Sequence, residues 1–142
     1  MDEWVMERYE LAKERIAQIP DEKMAEEPYC DFFTKEAMFL QQVIHVMDHG
    51  IAGKNLEELQ EQNHELYQDI LPENYENSYG NPAYAQKMLG EYGKVFTFLY
   101  TELHGTIAYA FEKKAWDLTV VLELFLEIYS AFTQEEIPAE KQ

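Results

Sequence analysis

From Val95 to Phe111 the chain is apolar almost all round, whichever way a helix through it is turned. A helix without a polar face must be surrounded by other elements, so this rod belongs in the middle of a bundle. What surrounds it has to be helical too, because the apolar residues elsewhere recur at spacings of three and four. Within 2–19 they are Val5, Tyr9, Ala12, Ile16 and Ile19, and Pro20 ends the pattern. A second helix is expected from between Pro28 and Asp31 to about His49, on a stripe of Phe33, Ala37, Leu40, Ile44 and Met47, with Gly50 placed for a C-terminal cap. A third opens at Asn55, with Glu58 in capping-box position, follows Leu56, Leu59, Leu66 and Ile70 with Asn63 interrupting, and ends before Pro72.

Residues 72–81 read as a loop on their turn chemistry, and Asn81-Pro82 as an N-cap followed by proline at the first helical position. The helical pattern then runs over about 82–114, with Gly90, Gly93 and Gly105 as points for a kink or a close helix contact. Asp117 is placed to cap a last helix on Leu118, Val121, Phe125, Ile128 and Phe132. The expected fold is all-α, a bundle of about five helices around a long apolar central one. Residues 1–136 form one domain. Residues 137–142 are a polar tail that reads as the start of a linker to a missing downstream domain, with Thr133-Gln-Glu-Glu136 resembling a fresh helix start.

Charge and cysteine usage exclude several functions. Eleven basic against 28 acidic side chains leave a net charge of −17, which argues against nucleic-acid and anionic-membrane partners. A hydrophobic content of 46% is too high for a disordered acidic tail. One cysteine, Cys30, rules out an intrachain disulfide and a cysteine zinc site, and fits a reducing compartment. The acidic start does not read as a signal peptide, and the expected location is the cytoplasm.

Few residues suggest chemistry. Glu102 and His104 lie inside the apolar rod, where a carboxylate must find a donor or take up a proton. They are the candidate catalytic pair, against the plainer reading of a glutamate hydrogen-bonded inside the fold. His45 and His49 stand one helical turn apart and are the candidate metal ligands, with Asp48 nearby but without the glutamate of a zinc-protease motif or a third ligand. Glu61-Gln-Asn-His64 has the spacing of one half of a di-iron site and lacks the other half. Tyr75, Tyr79 and Tyr84 offer either a ligand lip or packing for the loop. Glu123 and Glu127, with no base between 115 and 140, make a solvated face or a docking strip for a basic partner. The phosphate-loop and nucleophile-elbow motifs are absent from the sequence.

Several stretches carry a more specific signal. Asp69-Ile-Leu-Pro-Glu-Asn-Tyr-Glu-Asn-Ser-Tyr-Gly-Asn-Pro-Ala-Tyr-Ala85, Leu89-Gly-Glu-Tyr-Gly93, Phe98-Leu-Tyr-Thr-Glu-Leu-His-Gly105 and Leu124-Phe-Leu-Glu-Ile-Tyr129 resemble the N-terminal region of a group of bacterial leucyl aminopeptidases of the thermophilic-type metallo-aminopeptidase family. The resemblance implies an all-helical segment ahead of a peptidase domain. That downstream domain would hold two divalent metal ions on carboxylates and histidines. No position of this chain matches those ligands, so the resemblance implies no catalytic residue, metal or cofactor in this segment. The expected role is non-catalytic: assembly, gating or substrate positioning, with the peptidase domain as partner and a homodimer as a further possibility. The alternatives are a free-standing acidic interaction module and a small enzyme using Glu102.

Overall fold

The computed structural model describes residues 3–49, 56–63, 72–113 and 116–131. It is all-α: among these residues there is no strand. Helix α1 is Glu3–Ile16, α2 a single turn at Asp21–Met24, α3 Glu27–His49 and α4 Leu56–Gln62. A 3-10 segment at Pro72–Asn77 leads into α5, Pro82–Leu89. Then come α6, Gly93–Lys113, and, behind a 3-10 turn at Trp116–Leu118, α7, Thr119–Ser130. The Asn55 cap, Gly50, His64, Leu66 and Ile70 lie outside the described residues.

The stripe of α1 is buried as its spacing requires, with Val5, Tyr9, Ala12 and Ile16 inside. It packs on α6 and α7. Three contacts set α1 antiparallel to α6: Arg15 over the Phe98 ring at 4.3 Å, Arg8 against Glu102, and Trp4 against Tyr109 with centroids 5.0 Å apart. Helix α3 packs on α7, and large rings fill the space between α3 and α6. Phe32, Phe33, Phe96 and Tyr129 meet there in tilted and edge-to-face pairs, each worth about 1 kcal/mol beyond the area it buries.

The pattern over 82–114 is built as two helices rather than one. Asn81 caps α5 as expected, its Oδ1 accepting from the Ala83 amide at 3.0 Å. The break falls at Gly90, whose φ of +69° lies in the left-handed region that a side chain resists. A 3-10 turn, Gly90–Tyr92, then reverses the chain into α6. Gly93 lets that reversal be tight: a Cβ there would sit 2.7 Å from the Gln86 backbone. Tyr29 ties the elbow to α3, its hydroxyl donating to the Leu89 carbonyl. The central rod also keeps a narrow exposed strip, Thr101, Gly105 and Ala108, built of small residues.

Two local expectations are corrected. Asp117 does not cap the last helix: it lies in the 3-10 turn, and Leu118 holds the cap position without a side-chain bond. The inner face of α7 is Val121, Leu122, Phe125 and Tyr129. Ile128 is turned partly outward, because the large Tyr129 ring takes the inner position beside Phe32 and Phe33.

Candidate functional site

Two chemistry-bearing side chains, His104 and Glu36, meet inside the bundle. His104 is 9% exposed and Glu36, from α3, is completely buried. His104 Nε2 lies 2.9 Å from Glu36 Oε1 and 3.1 Å from Oε2. An ionised carboxylate only accepts, so Nε2–H is the donor in that state. The imidazole is held flat between two rings. Tyr100, one turn earlier on α6, stacks at 4.2 Å and 18°, and Phe39, one turn after Glu36 on α3, at 5.7 Å and 12°. The sandwich fixes the ring plane, and the carboxylate fixes which nitrogen faces it.

Glu102 is not joined to His104. Two positions apart on a helix, the two side chains diverge by about 200°. Glu102 turns toward α1, where Arg8 Nη1 stands 3.1 Å from its Oε1, with side chains 21% and 14% exposed. Arg8 also reaches Glu7 at 3.0 Å and lies over the Trp4 ring at 5.2 Å. The candidate catalytic pair is thus split into two charge contacts, one per flanking helix. Between them stands Tyr129 of α7, whose hydroxyl donates to the Leu99 carbonyl at 3.4 Å. Burial raises its pKa well above the ordinary 10, and the negative charges of Glu36 and then Glu102 push in the same direction.

The other candidates are dispersed. His45 is exposed on α3, and the side chain of His49 lies outside the described residues, as does His64. Among the described residues no three His, Cys, Asp or Glu side chains are grouped to hold a metal ion. Cys30 is buried, its thiol donating to the Met24 carbonyl at 3.1 Å. Tyr79 packs against Phe32 and Tyr84, with its own carbonyl accepting from Thr97 Oγ1 at 2.9 Å, so it anchors the loop. Tyr75 is 57% exposed. Glu123 and Glu127 are exposed on α7. A surface concavity runs along α1 between Glu7, Glu10, Leu11 and Glu14, and touches neither Glu36 nor His104.

Asn63, which interrupts the stripe of the third helix, is 3% exposed and fully engaged. It exchanges two amide hydrogen bonds with Gln42 of α3, at 2.9 and 3.0 Å, and donates to the Leu59 carbonyl at 2.7 Å. The sequence reading missed Glu36, Arg8 and Gln42 as partners. For Glu36 the signal is present: it stands three residues after Phe33 and four before Leu40, in phase with the apolar stripe.

No helix among the described residues is long and apolar enough to cross a membrane. Compared with family models, curated proteins and solved structures, the chain matches none.

Proposed function

We propose that this chain is the non-catalytic, helical N-terminal domain of a cytoplasmic leucyl aminopeptidase, and that it serves the assembly of the parent enzyme. The four sequence stretches that resemble that group support the reading. The observation that carries it is the placement of Glu102 and His104. Each is spent on a contact with another helix, Arg8 in one case and Glu36 in the other. A general acid or base must reach the proton it moves. An imidazole sandwiched between two rings and facing a buried carboxylate serves better as a tie between α3 and α6.

Two measurements test this. The DNA downstream of the Gln142 codon is expected to continue in frame into a peptidase domain, and a stop codon there would refute the reading. Residues 1–142, purified and supplied with zinc, cobalt or manganese, are expected to leave leucyl-p-nitroanilide intact. Hydrolysis that disappears in Glu102→Gln or His104→Gln would establish the small-enzyme alternative instead.

A further inference from the structure

At the break between α5 and α6 the sequence and the backbone disagree. Ala85, Leu89, Tyr92, Phe96, Leu99 and Leu103 follow one another at spacings of four, three, four, three and four. That register passes through Gly90–Tyr92 without a slip, so in one straight helix all six would lie on one face. In the folded-back arrangement they also point inward, Tyr92 half-buried and the others buried. The backbone leaves the helix at Leu89, with φ −118° and ψ 1°, and at Gly90, with φ 69° and ψ −141°, and is helical again at Gly93. Gly90 still gives its amide to the Gln86 carbonyl, as it would in a continuous helix. Gly93 gives its amide to the Gly90 carbonyl instead of that of Leu89, which accepts from the Tyr29 hydroxyl.

The elbow joins two halves of the bundle. Helix α1 lies on α6 and α7, α3 on α7, and α5 on α6. Arg8 meets Glu102, Glu36 meets His104 and Trp4 meets Tyr109, so each pair links a residue before the elbow to one after it. Straightening the elbow parts the halves and leaves each with an apolar face shaped for the other. A second copy of the chain carries that other half. We propose that Gly90–Tyr92 is a hinge, and that opening it gives a dimer in which the part of each copy before the hinge packs on α6 and α7 of the other. The contacts between the halves are remade between copies, and α5 and α6 become one helix. Monomer and dimer then differ at the hinge and in the approach of two chains of −17 each, a repulsion that salt screens. The inference does not rest on the aminopeptidase reading.

Residues 1–142 are unfolded in urea, refolded at millimolar concentration with salt and reductant, and sized by light scattering. A dimer that falls apart slowly on dilution is expected beside the monomer, because the halves must separate before they can change partners. Gly90→Ala puts a side chain at a left-handed φ in the closed elbow and favours the open helix. It is expected to raise the dimer-to-monomer ratio about tenfold or more. Glu91→Pro suits the second position of the closed turn from Gly90 to Gly93 and interrupts a helix through it, so monomer alone is expected. In dimers refolded from isotope-labelled and unlabelled copies, filtered NMR is expected to show the Trp4 and Tyr109 rings in contact between copies. A Gly90→Ala chain that is unfolded by circular dichroism, or no more dimeric than the original, would overturn the proposal. So would a dimer formed as readily by Glu91→Pro, or one whose Trp4–Tyr109 contact stays within a single copy.

Discussion

Removing His104 alone should cost more stability than removing His104 and Glu36 together. His104→Leu leaves the Glu36 carboxyl in a position with no solvent contact and takes away its partner at 2.9 Å. Taking away the hydrogen-bond partner of a fully buried carboxyl costs about 3–5 kcal/mol, because the group left behind is both desolvated and alone. Glu36→Leu is milder, at about 1–3 kcal/mol: the imidazole that remains is at the edge of the core, has a neutral form and keeps its stacking between Tyr100 and Phe39. The double variant replaces both polar groups with side chains of similar bulk and should fall within about 1–2 kcal/mol of the original, on either side. Urea unfolding followed by near-ultraviolet circular dichroism reads these differences. With a slope of about 2 kcal/mol per molar, the His104→Leu midpoint moves down by roughly 1.5–2.5 M. The double variant then recovers most of that loss, and the double-mutant cycle gives a coupling of several kcal/mol. Additive losses, or a His104→Leu cost below about 1 kcal/mol, would refute the reasoning that the two groups hold each other inside the core.

Two further outcomes follow from single positions. Gly93→Ala forces a methyl to 2.7 Å from the Gln86 backbone and should destabilise by about 1–3 kcal/mol, whereas Gly105→Ala meets nothing within 4 Å and should stabilise by about 1 kcal/mol through helix propensity; thermal melts of the two variants should move in opposite directions. Tyr129 keeps its proton in the fold after the unfolded chain has begun to lose it near 10, so stability should fall above that pH by up to about 1.4 kcal/mol per unit from this group; urea midpoints of Tyr129→Phe should decline less steeply over the same range.

The parts of the fold that depend on local chemistry were legible in the residues. The three-and-four spacing of Val5, Tyr9, Ala12 and Ile16 places them on one buried side, and Asn81-Pro82 announces its cap. What was not legible depends on distance in the chain. Gly90 and Gly93 mark where the 82–114 pattern can kink or meet a neighbour closely, but the full reversal that separates α5 from α6 does not show, because the apolar period continues on both sides. Asp117 has the right chemistry for a cap, but the 3-10 turn ahead of α7 carries it one residue short of the cap position. Glu102 and His104 read as a pair because they are close in sequence, yet a helix turns them apart. Their partners lie 94 and 68 positions away in the chain. Only packing brings Arg8 and Glu36 to them.

The reciprocal bonds of Gln42 and Asn63 hold only while both side chains remain amides. Asn63 uses its NH₂ group twice, toward Gln42 Oε1 and the Leu59 carbonyl. Deamidation would substitute an oxygen that can only accept, turning both of those contacts into oxygen facing oxygen. The clasp between α3 and the end of α4 would then repel where it had held. A mass increase at this residue would therefore mark molecules in which α4 has come loose, even while the aromatic interior between α3 and α6 stays intact.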